Sequence, residues 1–226
     1  MNIKELVPAS QLARQLGVKA VVYGGPGTAK TPISATAPRP VMCVIEPGML
    51  SMRGVDNIPA FEAYTPKKIE EFFKWVFESK EASNFDTIVI DSLSQLCEVI
   101  LEQELARNVH GLQAYGKMAT RVLKLINKLY FHENKHAYII AKQTTGEIDG
   151  AATKLPYFPG KELNVKIPHL FDEIFHIGKA NVPGQAKPVL AMRTQNTFGI
   201  MARDRSGKLD ELEPPNLSDI FAKCMS

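Results

Sequence analysis

Cysteine is scarce in this 226-residue chain. Cys43, Cys97 and Cys224 are odd in number and far apart, which excludes a disulfide framework, shows no metal spacing and points to a reducing compartment. Charge of one sign is lacking as well, with 27 Lys and Arg against 24 Asp and Glu, a net charge of +3. That balance is too mild to argue for nucleic-acid binding and is compatible with it. No apolar run approaches the roughly 18 residues of a membrane span. The N-terminal MNIKELVPASQLARQLG has no apolar signal core, so a cytoplasmic protein with no membrane partner is expected. Internal repeats and low-complexity tracts are absent too. What remains is an ordinary globular balance, 45% hydrophobic and 23% charged, enough to bury a real core. No linker divides the chain, and residues 1–226 are expected to form one α/β domain.

Strand and helix patterns alternate along the chain. Short apolar runs over 19–23, 41–45, 85–92 and 136–141 read as buried strands, and 171–177 and 189–193 as two more, joined by a turn through Pro183-Gly184. Helical spacing marks 66–80, 93–106, 114–132 and 217–223, with a short helix over 8–16 and another of about two turns from Thr28, limited by Pro38 and Pro40. Residues 49–64 are irregular with one short edge strand, and 144–168 read as a long loop rich in Gly, Pro and Lys. Alternation of this kind implies a mostly parallel sheet covered by helices on both faces, with an antiparallel C-terminal edge.

The stretch that organises the chain is Gly24-Gly25-Pro26-Gly27-Thr28-Ala29-Lys30-Thr31, at the end of the first strand. It nearly matches the phosphate-binding loop G-x-x-x-x-G-K-[ST]. Glycines let backbone N–H groups converge on phosphate oxygens, and a following helix adds its dipole. Lys30 reaches the β- and γ-phosphates of ATP and the Thr31 hydroxyl ligates Mg²⁺ in such a loop. Ala29 replaces the second defining glycine, which suits a right-handed backbone at the start of a helix. Asp91 ends an apolar strand, where a carboxylate on a strand neighbouring the loop strand holds Mg²⁺ through water; it or Ser92 also suits a helix N-cap. Glu46 ends the second strand and can deprotonate an attacking water, or be a solvated turn acid. Gln143 ends the fourth and can hydrogen-bond the γ-phosphate, or be a polar strand end.

The series GGPGTAKT, VMCVIEPG, TIVIDSLSQL and AYIIAKQ, in that order, resembles the RecA-like P-loop ATPase core. It is most similar to phage-encoded nucleotide-binding proteins of the Sak-type single-strand annealing group, through GGPGTAKT, IEPGMLSMRG, IDSLSQL and MARDRSGKLDELEPPNL. The resemblance implies Lys30 and Thr31 at phosphate and Mg²⁺, Asp91 as Walker B acid, Glu46 as base and Gln143 as sensor. It also implies that the loop after Gln143 touches single-stranded DNA through Lys154, Tyr157, Phe158, Lys161 and Lys166, since aromatics among lysines suit single strands. Tyr157 and Phe158 equally suit pinning the loop to the core. Residues 107–117 are a second DNA-loop candidate. Arg203 and Arg205 are candidates for completing a neighbouring subunit's site, which implies a homo-oligomer, or for a solvated turn. The five histidines read as structural or surface residues.

The function implied is an ATP- and Mg²⁺-dependent recombination protein that anneals or pairs phage DNA, in the host cytoplasm, alone or with a single-strand-binding protein. A non-catalytic ATP switch for a replication or packaging partner is the alternative, and a small-molecule kinase ranks below both.

Overall fold

The computed structural model describes residues 6–8, 16–107, 110–182 and 184–226. Most of the expected helix over 8–16 lies outside these residues, as does Pro183 of the expected turn.

The backbone of the fold is a sheet whose strands are β1 (Lys19–Tyr23), β2 (Pro40–Val44), β3 (Ala60–Glu62), β4 (Thr87–Asp91), β5 (His136–Ile148), β7 (Glu173–Ala180), β8 (Val189–Arg193) and β10 (Leu212–Glu213). Their spatial order is β10-β8-β7-β1-β5-β4-β2-β3, with β6 (Ala151–Tyr157) paired to the far half of β5 and β9 (Arg203–Asp204) to β7. From β7 to β3 every neighbour is parallel, and β8 and β10 add an antiparallel edge. The expected α/β class with its antiparallel C-terminal edge is therefore what the chain forms.

Why the strands are continuous apolar runs follows from what covers them. Strands buried on both faces lose the alternation of a half-exposed sheet. Val21, Tyr23, Cys43, Ile90 and Ile139 point to one face, against α2 (Pro66–Glu78), α3 (Leu93–Ala106), α4 (Gly111–Tyr130) and α5 (Lys161–Leu170). Val22, Met42, Val44, Val89 and Ile140 point to the other, against the short α1 (Lys30–Ile33) and the C-terminal α6 (Leu217–Met225). α2 begins with Thr65, whose side chain accepts the Lys68 N–H, and Pro66 at its first position, where a missing N–H costs little.

Two expectations fail. The stretch 144–168 is not a loop. β5 continues to Ile148, turns through Asp149-Gly150 and returns as β6, and α5 follows. Both turn residues have positive φ, 51° and 78°, which is why an Asp-Gly pair closes a two-residue hairpin. Residues 111–117 are likewise not a loop but the first turns of α4, and Arg107 pairs with Glu104 at 3.2 Å.

Candidate nucleotide-binding site

The site is built where β1, β2, β4 and β5 end. In a parallel sheet all these C-terminal ends open on one edge, where ligands of α/β proteins bind. β1 delivers the Gly24–Thr31 loop. Gly24 is dictated by packing, because a Cβ there would lie 2.5 Å from the Ile177 carbonyl of β7. Thr28 Oγ1 closes the turn by donating to the Gly25 carbonyl at 2.8 Å. Pro26 and Gly27 are exposed, with Gly27 at φ 73°.

Position 29 departs from expectation.

 The backbone of Ala29 is left-handed, φ 59° and ψ 24°, not right-handed. A methyl-bearing residue there carries the strain that the missing glycine would avoid, about 1–2 kcal/mol. α1 is also only four residues long before it tightens into a 3₁₀ turn over Ser34–Thr36. Its dipole is correspondingly small.

A second correction concerns the acid strand. β4 does not neighbour β1, because β5 lies between them. The loop helix bridges the gap. Tyr138 of β5 donates from its hydroxyl to the Lys30 carbonyl at 3.1 Å, which seats α1 over β5. Thr31 Oγ1 then reaches Asp91 Oδ2 at 2.6 Å. The Asp91–Ser92 peptide is cis, and Ser92 caps α3 by accepting the Gln95 N–H. Asp91 is only 6% exposed. Burial pushes its carboxyl up to about 6, against the Thr31 hydrogen bond, with Glu46 adding repulsion and Lys30 offsetting it.

Lys30 Nζ donates to the Gly24 and Gly25 carbonyls, both at 2.9 Å. Burial lowers its pKa, while Asp91 and Glu46 act the other way. Glu46 accepts from Ser92 Oγ at 2.5 Å, and Lys142 Nζ stands 3.8 Å from it while bonding Gln95 and Glu98. Lys30, Thr31, Asp91 and Glu46 thus converge. The Thr31 hydroxyl and the Asp91 carboxylate are a hard oxygen pair in contact, a donor set that fits Mg²⁺.

Gln143 lies two residues beyond Ala141, the register partner of Tyr23. Its Oε1 is 3.2 Å from His176 Nε2. His176 pairs with Tyr23 from the other side, on β7, and its ring packs edge-on against the Tyr23 ring at 5.1 Å. Gln143 and His176 therefore meet at the root of the phosphate loop. Burial lowers the His176 pKa to about 4, with Lys154, Arg193 and Lys30 adding repulsion, so the ring is neutral at pH 7. Sequence reasoning passed over His176, because no spacing links a lone histidine to a glutamine that far upstream.

The DNA candidates separate. Phe158 is fully buried in the main core and cannot stack on a base. Tyr157 is half-buried in β6, and Lys161 and Lys166 are exposed on α5, with Lys166 paired to Glu162 at 2.6 Å. Lys154 is exposed. It lines a cavity of about 410 Å³ with His176, Lys179 and Arg193. The backbone of Lys154 is fixed by the Tyr23 hydroxyl, which donates to its carbonyl at 2.9 Å.

Arg203 and Arg205 lie at the opposite sheet edge, since β9 pairs with the start of β7. The Arg203 guanidinium donates to the Pro168 and Phe171 carbonyls of its own chain, which corrects its reading as a cation held out to a neighbour. Arg205 pairs with Asp172 at 2.9 Å. The expected turn chemistry does hold, with Asp204 accepting from Ser206 Oγ and from the Gly207 and Leu209 N–H groups.

A phosphate loop entering a short helix, with a buried acid against its threonine on a mostly parallel sheet, defines a P-loop nucleoside triphosphatase. Residues 16–206 match the AAA domain family (AAA_24), and the chain belongs to it. No curated protein matches the sequence. Among solved structures, the crystal structure of a KaiC-like protein from hyperthermophilic archaea, Pyrococcus horikoshii OT3, is similar at 13% identity and a TM-score of 0.45, over 83% of this chain and 82% of that one. Among the described residues no helix is long and apolar enough to cross a membrane.

Proposed function

We propose that this AAA-domain chain is an ATP- and Mg²⁺-dependent DNA-recombination protein of the Sak-type phage group. It binds single-stranded DNA and promotes annealing or strand pairing as a homo-oligomer, alone or with a single-strand-binding protein. The observation that carries the reading is the convergence of Thr31 and Asp91 with Lys30 and Glu46 on one sheet edge. In this reading the loop N–H groups and Lys30 hold the phosphates, and Thr31 and Asp91 hold Mg²⁺, whose charge stabilises the developing negative charge of phosphoryl transfer. Glu46 orients an attacking water and takes its proton. Gln143 hydrogen-bonds the terminal phosphate, and its bond to His176 ties that contact to the cavity beside it.

The DNA part is supported by that cavity. Lys154 and Lys179 line it together with Arg193, whose guanidinium is paired to Glu211, and exposed lysines are the chemistry that follows a phosphodiester backbone. The test is ATP hydrolysis with and without single-stranded oligonucleotide at low salt. Stimulation by DNA, lost in Lys30→Ala, is the expected result; absence of both nucleotide and DNA binding by the wild-type chain sinks the reading.

A second reading, a nucleotide switch without turnover, is favoured by the strained Ala29 and by the Ser92 hydrogen bond already made to Glu46. Stoichiometric ATP binding with no hydrolysis, even with DNA present, selects it.

A further inference from the structure

Far from the phosphate loop, three ligand-bearing side chains meet. Glu173 at the start of β7, Asp204 in β9 and Cys224 in the last turn of α6 each place one ligand atom within 4.8 Å of the others, the one such group among the described residues. Glu173 pairs in register with Ala20, whereas the loop end of β1 pairs with His176. The cluster is therefore at the other end of the sheet and is separate from the Thr31–Asp91 pair.

An acidic cluster alone means little, but here one member has an unmet need. Glu173 is 1% exposed and its Oε2 has no hydrogen-bond partner. Its Oε1 accepts the Ser206 N–H at 3.3 Å, and a proton shared with the neighbouring Asp204 carboxyl is the other contact within its reach. A buried carboxylate with an unpaired oxygen requires a proton or a cation. The nearest arginines do not serve. Arg203 donates to carbonyls and its Nε is itself unpartnered, with no hydrogen bond or ion pair to Glu173; Arg205 is paired to Asp172. Asp204 is held in place by three donors from its own turn, at 2.5, 3.0 and 2.9 Å. A cavity of about 200 Å³, lined by Glu173, Cys224, Ser206, Asp172 and Arg205 among others, opens onto Glu173 and Cys224.

We propose that Glu173, Asp204 and Cys224 form a site for a thiophilic divalent cation of the zinc class, which clasps α6 to the start of β7. A thiolate beside two carboxylates suits a borderline-soft ion and disfavours Mg²⁺ and Ca²⁺, which take oxygen ligands. A zinc-class ion takes four ligands, so three from the protein leave one for water. Burial raises the Glu173 carboxyl to about 8, aided by Asp204, and the Cys224 thiol to about 12.

The full-length protein, stripped with a chelator, is titrated with Co²⁺ as the optical probe and then with Zn²⁺. One equivalent of Co²⁺ is expected to give a thiolate-to-cobalt charge-transfer band that Zn²⁺ removes. Zn²⁺, and not Mg²⁺, is expected to raise the melting temperature. Cys224→Ser is expected to lose the band, and Asp204→Asn to weaken Zn²⁺ binding at least a hundredfold; Glu173→Gln provides a third variant should either fold poorly. Three results overturn the site: no stoichiometric uptake, a band that persists in Cys224→Ser, or a Glu173→Gln protein that is more stable than a wild type indifferent to Zn²⁺. The last identifies a carboxyl pair that merely shares a proton.

Discussion

Ala29 is the residue at which this phosphate loop departs from its motif, and the departure has a physical cost. At φ 59° an alanine Cβ crowds the neighbouring carbonyl, a strain that glycine lacks. Glycine also loses more backbone entropy on folding, so the two effects partly offset. Ala29→Gly is expected to stabilise the fold by about 0.5–1 kcal/mol, read as a rise in denaturation midpoint at unchanged slope. A lower midpoint would mean that the methyl, which packs with the Ile33 side of the core, matters more than the backbone. His136 makes a second residue-level case. Its Nδ1 accepts the Val18 N–H at 3.0 Å and its ring stacks on Phe221. Burial lowers its pKa to about 4, with Lys19 adding repulsion and Asp86 opposing it. The folded state therefore binds fewer protons than the unfolded chain between about 4 and 6.5. This stability is complete above about 6.5 and is lost as pH falls through that window. At pH 5 the loss is roughly 2 kcal/mol from this group. Equilibrium unfolding at pH 7 and pH 5, compared between wild type and His136→Gln, is expected to show a smaller acid loss in the variant.

Among the elements, α3 and α4 are joined by an ion pair as well as by apolar packing. Glu104 is 2% exposed on α3, and Arg121 of α4 reaches it at 2.5 Å while also bonding Gln103 and Glu70. Removing the arginine leaves Glu104 with only the longer Arg107 contact. Arg121→Leu is expected to cost roughly 3 kcal/mol, and the double variant Glu104→Leu/Arg121→Leu to recover most of it, because a buried charge without its partner is worse than no charge. A chemical-denaturation cycle measures this; additive losses would contradict it. Elements of this kind were legible where periodicity is strong. The helix over 93–106 has the limits that its apolar spacing predicts, and α2 differs by two residues. The β5–β6 hairpin was not, although Asp149-Gly150 is a strong turn signal. Its strands carry few large apolar residues, and their Gly, Thr and Lys content reads as loop. Phe158 shows the same limit from the other side. An aromatic among lysines suits a base-stacking platform and a core pin equally, and tertiary packing decides for the core.

Across the whole molecule, function depends on a spatial order that the chain order does not contain. Periodicity and strand-end chemistry locate Lys30, Glu46, Asp91 and Gln143, but not that β5 enters between β1 and β4. That insertion puts Gln143 at the root of the phosphate loop and against His176. It also carries the hairpin that presents Lys154 to the cavity shared with Lys179 and Arg193. If single-stranded DNA follows these cations, its affinity reports their number. Each phosphate contact on a single strand contributes about 0.7 to the slope of log affinity against log salt. Removing two contacts in Lys154→Ala/Lys179→Ala should therefore make the slope shallower by about 1.4. Nucleotide binding measured without DNA should be unaffected, since neither side chain bonds the loop. Equal slopes for the two proteins would move the DNA path elsewhere while leaving the nucleotide site standing. A shallower slope with intact ATP binding would place the strand beside His176, whose ring meets Gln143.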